Sequence, residues 1–90
     1  EPNKNFKLGQ NFPNPFNPAT TISYELPRRA HVTLEVFDLM GKRVARLVEG
    51  IQREGRHEIT WNATAHASGI YWYRLRSGEE VLTKKMVLLR

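Results

Sequence analysis

Residue types that could support acid–base or metal chemistry are scattered along this chain. The three histidines, His31, His57 and His66, fall in two separate predicted strands and a loop, without the spacing of metal ligands. The carboxylates lie at predicted outward positions and in turns, where they are usually solvated. There is no cysteine, and the six glycines stand apart rather than forming a phosphate-binding loop. The sequence therefore predicts no catalytic residue, no metal site and no cofactor.

Aromatic residues offer a different chemistry, which is stacking on sugar rings. The residues in question are Trp61, Trp72 and Tyr73. If Tyr71 and Tyr73 point inward, the alternation of a strand places Trp72 on the outer face. Packing in the core or at its rim is the competing interpretation, and we prefer it to a sugar-binding platform.

Basic residues outnumber acidic ones, with 14 Lys and Arg against 9 Asp and Glu and a net charge of +5. Such an excess can attract phosphate or anionic lipid head groups. Nucleic-acid-binding proteins usually place aromatic residues or a helix among their cations, whereas the aromatic residues here are assigned to the core. We expect a solubilising surface and no nucleic-acid partner. No apolar run approaches the roughly 20 residues of a membrane helix, so no transmembrane segment is predicted.

Period-two alternation of apolar and polar residues predicts strands from Thr20 onward. Gly41 is placed to form a hairpin turn, and residues 77–80 join two strands rich in β-branched and aromatic residues. Residues 43–49 also fit a helical spacing, but they are short for a helix and we assign them to a strand. Six or seven short strands separated by turns favour a β-sandwich, with these residues mostly in its core: Tyr24, Leu34, Val36, Trp61, Tyr71, Tyr73 and Leu75.

Residues 1–18 are polar and rich in Pro and Asn, and their prolines favour extended backbone. We expect them to form a stiff lead-in, with Phe12 and Phe16 available to pin it onto a hydrophobic surface. A flexible interdomain linker is the alternative. The predicted organisation is thus a lead-in or linker over residues 1–18 and a β-sandwich over residues 19–90.

Four segments carry a family resemblance. They are residues 11–18 (NFPNPFNP) with 21–24 (TISY), 36–44 (VFDLMGKRV), 68–75 (SGIYWYRL) and 83–90 (TKKMVLLR). In this order, over nearly the whole chain, they resemble the C-terminal sorting domains of the bacterial type IX secretion system, type A. Two departures are the final Arg in place of the commoner Lys, and residues 63–67 (ATAHA) in place of a Gly/Asp-rich loop, so no role is carried over to that loop.

The resemblance implies an all-β, immunoglobulin-like β-sandwich of about seven antiparallel strands. Such domains stand at the C-terminal end of larger secreted or cell-surface proteins of Bacteroidota, with the cargo domain N-terminal in the same chain. The domain is recognised in the periplasm by the type IX translocon and exported through the outer membrane to the cell surface or medium. A surface sortase-like peptidase commonly removes it. We expect a monomer.

By matched motif, the residues implied in translocon recognition are Gly69, Tyr71, Lys84, Lys85, Val87, Leu88, Leu89 and Arg90. An apolar strand ending in a cation can add to the edge of a receptor sheet, or it can simply complete the domain's own sheet. Two other functions remain open. One is a carbohydrate-binding accessory module of a glycoside hydrolase. The other is an immunoglobulin-like assembly domain of flagellar hook-cap type, which would require further chain after the final strand.

Overall fold

The computed structural model describes residues 5–90. These residues form two antiparallel sheets and no helix. The first sheet has the order β1-β2-β5 and the second the order β4-β3-β6-β7. This order corresponds to strands A-B-E and C′-C-F-G of an immunoglobulin-like sandwich, which confirms the predicted all-β fold. The strands are β1 (Lys7–Leu8), β2 (Ala19–Leu26), β3 (Ala30–Phe37), β4 (Arg43–Gln52), β5 (Gly55–Asn62), β6 (Gly69–Ser77) and β7 (Glu80–Leu88).

The core lies between the sheets and follows from the alternation of each strand. In β2 every second residue is buried, and β3 contributes a matching row from the facing sheet. Each fully buried aliphatic or aromatic side chain stabilises the fold by about 1.5–3 kcal/mol relative to exposure. The core residues expected from the sequence are all buried: Tyr24, Leu34, Val36, Trp61, Tyr71, Tyr73 and Leu75.

Strand β4 carries two irregularities, and these explain its helix-like sequence. Its register against β3 shifts between Leu34 and Glu35 and again between Val36 and Phe37. Leu47 and Val44 are the extra residues at the two shifts, and both pack against the core. Each bulge adds a residue and breaks the period of two, so apolar residues recur at spacings of three and four. The assignment of residues 43–49 to a strand is confirmed.

The lead-in packs on the sandwich over its described part, residues 5–18. Phe6, Leu8 and Phe16 belong to the same buried cluster as the residues of β2 and β3. Phe12 was also expected to pin the segment onto a hydrophobic surface, but this was wrong, because the residue is 79% exposed. Residues 1–4 of the predicted lead-in lie outside the described residues.

Candidate recognition surface

Strand β7 carries four of the eight residues implied in recognition, and its alternation divides them between two faces. Met86 and Leu88 are buried between the sheets, and Lys84 lies on the same side but is partly exposed. Lys85 and Val87 face outward. The motif thus contains residues that build the core and residues that a partner can touch.

The two motif residues of β6, Gly69 and Tyr71, serve the fold through backbone conformation and packing. Tyr71 is buried, and its hydroxyl donates a hydrogen bond to the Ala67 carbonyl at 2.7 Å. A tyrosine near the start of this strand, bonded a few residues back, is the tyrosine corner of immunoglobulin-like folds. Gly69 has φ +151°, while a Cβ there would meet no atom within 4 Å. Backbone conformation rather than space therefore favours glycine at this position.

Five outward-facing side chains form a continuous surface that we call the terminal strip. Lys85 lies opposite Trp72 and Val87 opposite Ile70 in the β6–β7 register. Leu89 follows directly after β7 and is exposed. The terminal strip therefore combines an aromatic ring, aliphatic side chains and a cation, a composition suited to contact with another protein.

The lead-in closes the outer edge of β7 along the terminal strip. Phe16 N–H donates to the Val87 carbonyl and Leu89 N–H to the Phe16 carbonyl, each at 3.0 Å. The Asn14 side-chain oxygen accepts from Val87 N–H at 3.0 Å, and the Gln10 amide donates to the Lys85 carbonyl at 2.8 Å. Because these backbone groups are paired, residues 85–89 cannot add to a receptor sheet while the lead-in stays in place.

A buried polar cluster fastens the lead-in. The Tyr73 hydroxyl donates to the Gly9 carbonyl at 2.6 Å and accepts from Asn11 N–H at 2.8 Å. The buried Asn11 amide donates to the Thr20 hydroxyl at 3.0 Å and to the Pro13 carbonyl at 3.1 Å. Burial raises the pKa of Tyr73 to about 12, although the Asn11 hydrogen bond opposes this. Buried polar groups that are satisfied in this way fix one arrangement of the chain.

Phe16 adds an apolar anchor. Its ring is buried, with its centroid 5.9 Å from that of Trp61, which in turn lies 5.6 Å from Tyr71. Sequence reasoning did not find the roles of Asn11, Asn14 and Gln10. The available signal was a run of Asn and Phe between prolines that stays ordered although it can be neither a helix nor a central strand.

Arg90 is held by the loop between β5 and β6. Its guanidinium donates to the carbonyls of His66 and Ala63, each at 2.9 Å, and also to that of Thr64. Its backbone N–H donates to the Ser68 hydroxyl at 3.0 Å. Three carbonyls around one guanidinium exploit the planar set of donors that Lys lacks. In this arrangement the terminal cation shapes the loop beside Gly69.

The aromatic residues considered for sugar stacking do not share a surface. Trp61 and Tyr73 are buried, whereas Trp72 is 39% exposed on the outer face of the four-stranded sheet. The Trp61 ring lies 5.3 Å from His66 and is enclosed by aromatic neighbours. Of these three rings only Trp72 can meet a ligand, so they provide no flat aromatic row.

A charged cluster occupies the outer face of the four-stranded sheet. Glu35 is buried and accepts from Arg43 at 3.0 Å and from Arg46 at 3.1 Å, with Arg74 at 3.6 Å. The Arg74 guanidinium stacks over Phe37 at 4.4 Å from the ring centroid. Burial by itself raises the pKa of Glu35, but hydrogen bonds and attraction from Arg46 and Arg43 outweigh it and leave the pKa below the usual range. The carboxylate therefore holds its arginines in place at neutral pH.

Residues 5–90 contain neither a cluster of metal ligands nor a membrane-spanning helix. No three side chains among the His, Asp and Glu of these residues come together as a set of metal ligands. The same residues include no helix long and apolar enough to cross a membrane.

The fold and the sequence motifs together define the class of domain. A model of the family described as secretion system C-terminal sorting domains matches residues 10–89. This chain belongs to that family, the one whose type IX members its four motifs resemble. The family is one of sorting signals, and membership implies secretion of the protein that carries the domain to the cell surface or beyond it. No curated protein sequence matches the chain.

Solved structures show the same fold. One is PorZ of Porphyromonas gingivalis, a surface component of that bacterium's type IX secretion system, with a TM-score of 0.67 and 20% identity over 90% of this chain. Another is latent PorU of the same bacterium, with a TM-score of 0.66 and 24% identity over 89% of this chain. The matches cover 11% of the PorZ chain and 9% of the PorU chain, so this chain corresponds to a small part of each.

Proposed function

We propose that this domain is a non-catalytic export address, which directs a cargo domain N-terminal to it in the same chain through the outer membrane by a type IX translocon. The carrying observation is that the terminal strip is displayed on the folded domain while the backbone edge beside it is closed. Recognition then reads side chains on a formed surface rather than adding a strand.

The motif residues take two roles in this proposal. Lys85, Val87 and Leu89 contact the translocon, with Trp72 beside them. The remaining motif residues shape that surface by packing, by backbone conformation, by strand pairing or by binding the neighbouring loop, and they are Gly69, Tyr71, Lys84, Leu88 and Arg90.

The route of the protein follows from the same proposal. The folded domain passes through the periplasm as a monomer and reaches the cell surface or the medium, where a sortase-like peptidase removes it. Residues 5–18 travel as part of this folded unit, because they bury side chains in the core of residues 19–90.

Export of a fluorescent protein fused ahead of residues 1–90 tests this function. The fusion is expressed in a bacterium with a working type IX translocon and in the same strain without it. Fluorescence is measured in the periplasm, on the surface and in the medium. We expect export only in the strain with the translocon, and equal export or equal periplasmic retention in both strains contradicts the proposal.

The double variant Lys85→Glu/Val87→Asp tests the terminal strip. It places two negative charges on the strip without touching a buried side chain, and we expect export to fall about tenfold or more. The control is Arg28→Glu/Arg29→Glu, which changes charge by the same sign at the exposed β2–β3 turn. Circular dichroism establishes that each variant is folded. Unchanged export of a folded Lys85→Glu/Val87→Asp fusion contradicts the assignment of the surface.

A further inference from the structure

The turn between β3 and β4 exposes two large apolar side chains side by side. Leu39 is 65% exposed and Met40 is 89% exposed. A single exposed apolar residue is ordinary, but a cluster is typical of an interaction site. We call Leu39 and Met40 the hairpin tip.

The hairpin tip is held in one conformation by its own turn. The Asp38 carboxylate accepts from Met40 N–H at 2.9 Å and from Lys42 N–H at 3.0 Å. Gly41 N–H donates to the Asp38 carbonyl at 3.0 Å, and Gly41 supplies φ +82°, which other residues rarely adopt. A partner therefore meets a turn whose backbone is already ordered, which reduces the entropy lost on binding.

The tip continues into a shallow depression on the outer face of the four-stranded sheet. The depression has a volume of about 290 Å³, and of the two tip residues only Leu39 lines it. The other lining residues are Phe37, Asp38, Gly41, Trp72, Arg74 and Thr83. Cross-strand register places five cations and two carboxylates on this face. They are Arg43, Arg46, Arg74, Arg76 and Lys85 with Glu35 and Glu49. The excess of positive charge favours an acidic partner.

The shape of the tip selects the kind of partner. A convex pair of apolar side chains fits a concave apolar pocket, which a folded protein provides. A polysaccharide would instead use a flat aromatic row, and of the three rings considered above only Trp72 is exposed. A second copy of the domain would bring the same excess of cations to the interface, where like charges oppose association.

We infer that the hairpin tip and the cationic face behind it form a second docking surface, which inserts Leu39 and Met40 into an apolar pocket of an acidic protein. The hairpin tip lies outside the terminal strip, although the face behind it shares Trp72 and Lys85 with the strip, and the inference therefore goes beyond the proposed export address. The cations accelerate and orient the encounter, and the two apolar side chains supply the buried contact.

Site-specific photo-cross-linking in cells tests the inference. A photoreactive phenylalanine replaces Met40 in the fluorescent fusion and, as the matched control, replaces Ile51. Ile51 is 60% exposed on the same face but pairs with His31 at the opposite end of the strands. We expect the Met40 probe to give a discrete product with a protein whose sequence is acidic, and the Ile51 probe to give at least about tenfold less of it.

Charge and contact variants then test the chemistry of the Met40 product. Lys42→Glu/Arg76→Glu reverses cations beside the tip and on the face, and we expect about a tenfold loss of product. The control, Arg29→Glu/Arg53→Glu, makes the same change in net charge at two exposed turns, and we expect it to leave the amount of cross-linked product unchanged. Leu39→Ser also reduces the product, with an unchanged circular dichroism spectrum.

Each other outcome overturns the inference. These outcomes are a cross-linked dimer of the domain, an adduct with lipid or glycan, a product with a basic or neutral protein, the absence of a product, and equal products in the two charge-reversed variants. The experiment is run with and without the translocon. Failure of the native fusion to be exported contradicts the export address alone, because the cross-link at Met40 is scored independently.

Discussion

The lead-in and the hairpin tip both belong to segments that carry the family resemblance. The side chains of the lead-in mostly contact the domain, whereas those of the tip are exposed to solvent. In the lead-in, Asn11, Asn14 and Phe16 bond or pack inside the domain and close the edge of β7. At the tip, the polar Asp38 is used within the turn, whereas Leu39 and Met40 point into solvent. A motif of this family therefore does not by itself identify a contact surface, because one motif builds the scaffold and the other displays side chains.

The physical difference lies in which groups would otherwise stay unpaired. An edge strand presents open N–H and carbonyl groups that invite pairing with other chains. The lead-in satisfies both groups of Val87 and the N–H of Leu89, so it protects the last strand as well as stabilising it. The turn before β4 pairs its N–H groups with Asp38 in the same turn, so no unpaired edge has to be covered there. The exposure of Leu39 and Met40 therefore needs a different explanation.

The largest expected effect comes from removing the apolar anchor of the lead-in. Phe16→Ala deletes a buried ring that contacts Trp61, and we expect a loss of about 3–5 kcal/mol in the free energy of unfolding. For a domain of this size the Tm should fall by more than about 10 °C. Thermal unfolding followed by circular dichroism measures this change.

Phe12→Ala is the matched control, because Phe12 lies in the same segment but is exposed. We expect it to change the free energy of unfolding by no more than about 0.5 kcal/mol. If the two variants lost equal stability, the lead-in would not be docked through Phe16. If Phe16→Ala also dimerised in analytical ultracentrifugation, this would indicate that the edge of β7, once the lead-in is released, pairs with a second molecule.

A smaller effect is expected from the polar anchor. Tyr73→Phe removes the hydroxyl that bonds Gly9 and Asn11, leaving both backbone groups buried without that partner. We expect a loss of about 1–3 kcal/mol, measured by urea unfolding at neutral pH.

The same residue predicts the pH dependence at alkaline pH. A tyrosine in the unfolded chain has a pKa of about 10, whereas burial raises the pKa of Tyr73 to about 12. Between these values the unfolded chain has lost a proton that the folded domain keeps, so stability falls as pH rises through this range. Tyr73→Phe should flatten that decline. An identical slope in the native domain and the variant would show that Tyr73 does not carry it.

Much of the fold could be predicted because strand signals are local. Alternation in β2 and β3 and the glycine at position 41 sufficed to place strands, turn and core. Strand β4 was ambiguous because the two bulges with Leu47 and Val44 imitate a helical spacing. Bulges arise from register with a neighbouring strand, and a single segment does not contain that information.

The partners of the lead-in could not be predicted, since they are separated by many residues in the chain. Nothing near Asn14 indicates that its side chain caps the backbone of Val87, or that the Tyr73 hydroxyl bonds Gly9. The motif of the last strand was recognised, but its division into buried and displayed residues required the pairing of β7 with β6. A sequence motif records that residues occur together and not which of them face solvent.

The smallest effect on the free energy of unfolding is expected at Arg90. This residue binds the β5–β6 loop and directly follows Leu89 of the terminal strip. Arg90→Lys keeps the charge but cannot reproduce the guanidinium contacts to the carbonyls of Ala63, Thr64 and His66. We expect a loss of about 0.5–1 kcal/mol and faster amide exchange in the β5–β6 loop. Arg76→Lys, at an exposed position of β6, should change neither quantity.

Export of the Arg90→Lys fusion then distinguishes two roles for Arg90, which are to present a charge to the translocon and to hold the β5–β6 loop. Because the guanidinium holds residues 63–68 beside Gly69, we expect export to fall by more than about twofold as loop exchange increases. Export that stayed within about twofold of the native fusion would show instead that the translocon reads only the charge at this position, which the commoner Lys also provides. A fall in export would place Arg90 with Asn14 and Phe16, as part of the scaffold that presents the terminal strip.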